Sequence, residues 1–559
     1  MMFSIVIPTR ARADTLRHCL RTVLAQTYHD FEVIVHECGD DPATSAAMSE
    51  FDDPRIRFFK TVEQVRMTEN WERALGRARG DYVFVLGDDD GLLPDACANA
   101  RDILEAHPSE VLSWGAPTYA HYYWPCFHDS ELANRLVVSC ATELACTLKS
   151  SKSVLDLLYR FRASFFETPM IYNSFVSRKL IERVGASRGR YFLGTAPDVT
   201  SGVVNLWFTD RFLKCNRPLS IGGASRHSIG HAYLRSGHAD KQAYAINAAF
   251  GAIPVHPTMV RSCDLTFVIG NELLIVKQEL FPDQTPHLNY AEMLRQAAQR
   301  INEIPGQYDA VLADCRAIAE KNGIAFDESQ LPRRRPPPKP AGQERREIQA
   351  GMLLLGMDGT RHGLSNVFDA AAALAHELPT AGNAQFEIEP APVTQIAFGN
   401  ANRVTLDFSA NGNGAFFLGA GWSSLEHWGV WSLGTRSELT LALPVNFRGS
   451  LSIQLTGFVF LPPRSMGMRV TLGSRVLLDR QITATQARVD VELAPLAVDG
   501  SDSARTLEIA IAIDRAATPV EAGVSPDSRP VGFGLERVVI SRSSDPLPES
   551  GILRERVAF

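Results

Sequence analysis

Cysteine is sparse in this chain: nine in 559 residues. The cysteines run from Cys19 to Cys315 without a Cys-x-x-Cys pair, and an odd number cannot all pair. That excludes a disulfide framework and gives no zinc spacing. A reducing, cytoplasmic compartment fits best. Long apolar runs are missing too. None approaches the roughly 20 residues that span a bilayer, so only a peripheral contact at the inner face of a membrane is left open. The opening Met1-Met-Phe-Ser-Ile-Val-Ile-Pro8 has no basic start and no small-residue cleavage site, and is expected to be a first strand, not a signal peptide. Positive charge is not in excess: 56 Lys and Arg stand against 63 Asp and Glu, net −7. General nucleic-acid binding, which wants a basic face, is therefore not expected. Finally, Pro8-Thr-Arg-Ala-Arg12 lacks glycines. That counts against a sugar nucleotidyltransferase, which carries a Gly-rich basic signature after its first strand.

What is present points elsewhere. A length of 559 residues with 45% apolar and 21% charged content predicts a globular protein of two or three domains. Asp81-Tyr-Val-Phe-Val-Leu-Gly-Asp-Asp-Asp90 reads as a buried strand, Tyr82–Leu86, ending in three carboxylates. Adjacent acids repel, so a fold that gathers them needs a cation. Hard divalent ions such as Mg²⁺ or Mn²⁺ take oxygen ligands and usually arrive with phosphates. The alternative is an acidic turn capping a helix. Strands at Phe3–Ile7, Phe31–Val35 and Ile56–Phe59 alternate with helices after Asp14, a candidate N-cap, and over Asn70–Arg79. This rhythm implies a parallel, Rossmann-like sheet, whose ligands bind beyond the carboxyl ends of its strands. Pro8–Arg10, Glu37–Asp41 and Asp88–Asp90 all fall at such ends.

Ser4-Ile-Val-Ile-Pro-Thr-Arg10, Leu20-Arg-Thr-Val-Leu-Ala-Gln-Thr-Tyr28, Phe31-Glu-Val-Ile-Val35 and Ala78–Leu86 with the acids and Leu92-Leu-Pro94 resemble the family 2 glycosyltransferases of the GT-A fold. The resemblance covers about residues 3–230. It implies a metal-dependent enzyme that binds a nucleoside diphosphate sugar near Pro8, Thr9, Arg10, Asn70 and Asp88. Asp88 would lie near the ribose, with Asp89 or Asp90 on the metal. Two departures stand out. Gly87 occupies the place of the first acid of the family's DxD motif. Glu37-Cys38 replaces an Asp pair, leaving Glu37 or Asp40 for the nucleotide base. Asn70 otherwise caps a helix.

Gly194-Thr-Ala-Pro-Asp-Val-Thr-Ser-Gly202 reads as a helix start, with Thr195 as cap and Pro197 in the first turn. The resemblance makes Asp198 the general base of an inverting transfer; otherwise it balances the helix dipole. Gly222–Gly230 would bring His227 to the metal or the diphosphate. The aromatics Trp114, Tyr119, Tyr122, Tyr123 and Trp124 suit either an acceptor cleft or a core.

Five segments are expected: a GT-A domain over 1–230, a helical extension over 231–326, a linker with one helix over 327–384, a β-sandwich over 385–545 and a tail over 546–559. The extension shows apolar periodicity over Ala245–Ile253, Phe267–Leu280 and Tyr290–Ile304. The linker holds Arg333-Arg-Arg-Pro-Pro-Pro-Lys-Pro340 and a helix near Asn366–Leu378. Alternating strands from Val404 to Ile513 suggest a jelly-roll-like sandwich. In it Trp422, Trp428 and Trp431 either bind glycan or fill the core. The expected function is a hexosyltransferase-like step of surface polysaccharide synthesis, from a nucleoside diphosphate sugar to a glycan or glycolipid. The other reading is a glycan-binding or scaffold protein with a degenerate transferase domain.

Overall fold

The computed structural model describes residues 1–116, 118–127, 132–228, 254–262, 264–302, 306–328, 331–332, 334, 344–349, 351–378, 384–388, 396, 398, 402–409, 412–423, 425–444, 447, 449–460, 465–483, 488–498, 506–519 and 529–543. Ala245–Ile253, nearly all of Arg333–Pro340 and the 546–559 tail lie outside them. The chain forms two compact units, Met1–Glu389 and Pro390–Phe559.

The first unit opens with β1 (Phe3–Thr9), α1 (Ala13–Leu24), β2 (Phe31–Cys38), α2 (Pro42–Met48), β3 (Ile56–Thr61), α3 (Met67–Leu75) and β4 (Tyr82–Val85). The strands β1 and β2 are buried along their whole length, as their apolar runs require. Leu16, Leu20 and Val23 of α1 recur at helical spacing and pack beneath the sheet. Short β5 (Gly91–Leu92), α4 (Ala96–Ala106), β6 (Val111–Ser113), β7 (Tyr119–Tyr123), β8 (Arg135–Ala141), β9 (Ala145–Ser150) and α5 (Ser151–Tyr159) follow. Then come β10 (Ser174–Ser177), α6 (Arg178–Arg188), α7 (Pro197–Phe208), β11 (Arg211–Cys215) and β12 (Ser220–Ala224).

The main sheet runs β9-β11-β6-β10-β4-β1-β2-β3. Its β4-β1-β2-β3 half is parallel. β10 enters antiparallel between β4 and β6, so the sheet is mixed beyond the triplet. This is a GT-A-like arrangement. Apolar clusters cover both faces.

Residues 327–384 hold more than a linker and a helix. β13 (Arg345–Gln349) and β14 (Met352–Asp358) extend a second sheet, β13-β14-β8-β7-β12-β5. The helix Val367–Glu377, capped by Asn366, packs on that sheet. β15 (Gln385–Ile388) pairs with β9 and so belongs to the first unit. In the extension, the helix Leu265–Leu280 is buried along most of its length. Tyr290–Gln299 and Tyr308–Lys321 complete it. The last of these falls inside the expected helical extension, outside the three stretches of apolar periodicity.

The second unit contains two antiparallel sheets. Arg436–Ala442 pairs with Thr506–Ile513, and Ser465–Leu472 with both Thr506–Ile513 and Arg475–Thr483. Gly449–Val459 pairs with Val531–Ser543, the centre of the other sheet. Burial alternates along Arg436–Ala442, giving one core face per strand.

Candidate active site

Each acid of the triplet is held by a different part of the fold. β1 ends at Thr9, whose hydroxyl donates to Asp88 Oδ2 at 2.6 Å. Ala11 then adopts a left-handed backbone with φ 51°, a conformation costing about 1–2 kcal/mol for a residue with a Cβ. The turn aims Arg12 back at the triplet. Its guanidinium donates to Asp88 Oδ1 at 2.9 Å and to the His227 carbonyl at 2.8 Å. Burial opposes the charge on Arg12, and Asp88 and Asp89 together outweigh it, so the guanidinium is held above its ordinary value. Burial lifts the Asp88 carboxyl, and Arg12 partly offsets this.

Asp89 faces the loop after β12. Ser225 Oγ and Ser228 Oγ donate to its Oδ2 at 2.7 and 2.6 Å. Trp124 Nε1 donates to the Asp89 carbonyl at 2.9 Å. Gly223 is required here: a Cβ would stand 1.7 Å from that carbonyl oxygen. Asp90 turns back instead. It accepts from the backbone N–H groups of Gly223 at 2.5 Å and Gly87 at 3.2 Å, and from the Tyr172 hydroxyl. Burial and then Asp89 push its carboxyl up to about 8. Gly87 follows from this packing. A Cβ there would lie 2.5 Å from Asp90 Oδ2 and 2.7 Å from the Tyr172 hydroxyl. The space that an acid at position 87 would need is filled.

Asp198 lies in the first turn of α7, with Pro197 at the helix start. It keeps partial contact with solvent, and burial raises its carboxyl. Tyr172 joins it to the triplet: the phenol hydrogen-bonds Asp90 and also feels the charges of Asp89 and Asp198. Thr9, the three acids and Asp198 therefore gather around one edge, beyond the carboxyl ends of β1 and β4.

Other expected residues stand apart from this cluster. Thr195 does not cap α7; its hydroxyl donates to Glu272 at 2.5 Å, and the flanking Ala196 makes no side-chain cap. Asp14 is not a cap either, because α1 starts at Ala13. It accepts from Arg226 at 2.9 Å and lies 3.4 Å from His227 Nε2. The His227 ring is thus engaged at Asp14, not at Asp89. Asp40 is exposed and ion-paired with Lys60 at 2.8 Å. Glu37 is fully buried, accepts from the Ala11 N–H at 3.3 Å and leaves Oε2 without a partner. Asn70 Oδ1 meets His36 Nδ1 at 2.7 Å, and Asn70 Nδ2 reaches the Thr9 carbonyl at 3.5 Å, inside α3 and not as its cap. Arg10 donates to Gln64 at 2.7 Å, and Pro8 is buried within β1. Trp114, Tyr122 and Trp124 are buried core residues, whereas Tyr119 is 38% exposed.

Among the described residues no group of three His, Cys, Asp or Glu side chains converges to hold a metal. Asp89, Asp90 and His227 do not form one shell. Among the described residues, the three buried acids nevertheless face one ion-paired guanidinium, Arg12. That surplus of negative charge fits a hard cation which takes one protein carboxylate and completes its shell with substrate phosphates and water.

In the second unit Trp422 is fully buried, and its Nε1 donates to the Glu438 carbonyl at 2.6 Å. It belongs to the core. Trp428 and Trp431 are half-buried, edge to face at 4.8 Å, and flanked by Phe458 and Phe460.

Residues 4–129 match the family described as Glycosyl transferase family 2. The matched segment lies within the GT-A-like unit. One relative is the GalNAc(5)-diNAcBac-PP-undecaprenol beta-1,3-glucosyltransferase of Campylobacter jejuni. It is 27% identical over 131 residues, 23% of this chain and 39% of that protein. Another, the uncharacterized protein y4gI of Sinorhizobium fredii, is 29% identical over 111 residues, 19% of this chain and 12% of that one. The chain thus spans less than half the length of either relative. Among solved structures, S. aureus TarS is 12% identical with a TM-score of 0.32, covering 92% of this chain and 72% of TarS. The mannosyltransferase PcManGT of Pyrobaculum calidifontis, in complex with GDP-Man and Mn²⁺, is 16% identical with a TM-score of 0.30, covering 57% and 86%. Likenesses of that size carry no argument about the site.

Proposed function

We propose that the first unit is an inverting glycosyltransferase that moves a sugar from a nucleoside diphosphate sugar to a hydroxyl of a glycan or glycolipid. The observation that carries this is the gathering of Thr9, Arg12, Asp88–Asp90 and Asp198 at one sheet edge, within and just beyond a family 2 segment. Asp198 takes the proton of the acceptor hydroxyl as its oxygen attacks C1 of the donor. The C1–O bond to the diphosphate breaks, its electron pair leaves with the phosphate oxygen, and C1 inverts. The raised carboxyl of Asp198 makes it a stronger base than an exposed aspartate. Thr9 and Asp88 are the residues assigned to the nucleotide-sugar side, with Arg12 as a resident cation. A divalent ion held by Asp89 would neutralise charge on the leaving diphosphate. Trp428 and Trp431 offer a half-buried aromatic face suited to a sugar ring. The wider role proposed is surface polysaccharide assembly in the cytoplasm, at or near the membrane.

The test is release of nucleoside diphosphate from a panel of UDP- and GDP-linked hexoses, with and without Mn²⁺. Release from at least one donor, lost in Asp198→Asn while nucleotide binding survives, is expected. Absence of release from every donor would defeat the proposal. It would favour the second reading, a glycan-binding scaffold with a degenerate site. Gly87 in place of an acid and the buried Glu37 motivate that reading.

A further inference from the structure

The segment that delivers Asp198 is gripped by two carboxylates from helices on either side of it. Glu72 of α3 accepts from the backbone N–H groups of Tyr191, at 3.0 Å, and Phe192, at 2.9 Å. Thr68 Oγ1 donates to the carbonyls of Gly194 and Thr195 at 3.3 and 3.4 Å. From the opposite direction comes Glu272 of the helix Leu265–Leu280, in the extension and only 1% exposed. Its Oε2 accepts from the N–H groups of Thr195 at 2.8 Å and Ala196 at 3.1 Å, and its Oε1 accepts from the Thr195 hydroxyl at 2.5 Å. Gly194 makes the approach possible, since a Cβ there would stand 2.5 Å from Glu272 Oε2.

We infer that Glu272 is a positioning residue for the transfer, reaching across from the extension to fix the turn that presents Asp198. This rests on the reading of Asp198 as the base. The physical reason lies in the start of α7. The helix has no side-chain cap of its own at Ala196, although the first N–H groups of any helix need partners from outside it. A buried carboxylate is costly unless it is fully hydrogen-bonded. Here its three bonds all fall on the two residues just before Pro197 and Asp198. Glu272 also lies close enough to Asp198 for their charges to interact. With the Glu72 grip on Tyr191 and Phe192, the turn is fixed at both ends.

The test is steady-state release of nucleoside diphosphate from the UDP- and GDP-linked hexoses of the screen, on the full chain. Glu272→Ala is expected to lower kcat by about 10- to 100-fold, the size associated with a displacement of about 1 Å at a catalytic group. The KM for the donor should stay within about threefold, because Glu272 touches none of the residues on the nucleotide side. Glu272→Gln should restore most of kcat. Its amide oxygen can accept from both backbone N–H groups while its NH₂ donates to the Thr195 hydroxyl. Gly194→Ala keeps Glu272 but crowds its carboxylate and strains a left-handed backbone (φ 69°), and should reproduce the kcat loss. It serves as the test if Glu272→Ala does not fold. Wild-type kcat in Glu272→Ala or Gly194→Ala overturns the inference. So does a joint change in KM and kcat that Glu272→Gln fails to rescue. Asp198→Asn is measured alongside. If it is inactive while Glu272→Ala turns over normally, only the positioning role falls. If Asp198→Asn is fully active, or the wild type releases nucleotide from no donor, the base reading falls and takes this inference with it.

Discussion

Restoring the acid that the family motif leads one to expect at position 87 should harm this protein. The native Gly87 has no room for a side chain: a Cβ would sit 2.5 Å from Asp90 Oδ2 and 2.7 Å from the Tyr172 hydroxyl. Both neighbours are side-chain ends and can move. Moving them breaks the Tyr172–Asp90 bond and the bond from Gly87 N–H to Asp90. Gly87→Ala should therefore cost about 1–3 kcal/mol, the range for overpacking a filled site. Gly87→Asp adds a fourth carboxylate to a buried cluster whose one ion-paired cation among the described residues is Arg12. Two like charges about 4 Å apart repel by about 4 kcal/mol at an effective dielectric constant of 20, an upper value if the new acid stays ionised. In a unit of this size each kcal/mol lowers Tm by about 2 °C or less. Gly87→Ala should then melt about 2–5 °C lower and Gly87→Asp about 5–10 °C lower, by calorimetry without added metal. Donor turnover should fall in both. If Gly87→Asp is as stable as the wild type and at least as active, the packing argument for the glycine is wrong.

Other outcomes follow from the same structure. The acid limb of kcat/KM should lie above the ordinary aspartate value, because burial raises Asp198 and only its deprotonated form accepts the acceptor's proton; rates should drop as pH falls through that raised value. A pH profile flat down to pH 4 would contradict this. Replacing Asp89 with Asn, or adding a chelator, should abolish any Mn²⁺ stimulation of donor turnover; stimulation that survives Asp89→Asn would place the ion elsewhere. In the second unit, Trp422→Ala should cost about 3–5 kcal/mol as a large buried ring, lowering that unit's Tm by about 10 °C in a melt. Trp428→Ala and Trp431→Ala should leave the fold standing and weaken retention on immobilised glycans; unchanged retention would remove these rings from sugar binding.

The glycine-bearing strand Val531–Ser543 shows why part of the fold was hidden. Val531, Phe533 and Leu535 alternate with Gly532 and Gly534, and glycine, which carries no side chain and disfavours strands, weakens the signal. In the folded unit Gly534 is where Trp428 and Trp431 lie against the sheet, 2.7–2.8 Å from where a Cβ would be. The strand Gln385–Ile388 read as the start of the sandwich because its residues suit any sheet, but its hydrogen bonds go to β9. Strands β1, β2 and β4 were legible because each is an apolar run ended by polar residues, and such runs need no distant partner to be recognised.

The sequence by itself determined the local chemistry: which residues end the parallel strands, that Asp198 stands in the first turn of a helix, and that three acids are adjacent. These are properties of neighbours along the chain. Only the tertiary structure decided the role of each acid, because their partners come from far away. Asp88 depends on Arg12, Asp89 on Ser225 and Ser228, and Asp90 on Tyr172 and Gly223. It also decided that the turn before Asp198 is fixed by Glu272, from a helix outside the recognisable family segment. A hydrogen bond between residues far apart in the chain leaves no spacing to read, so the residue types were visible and the pairings were not.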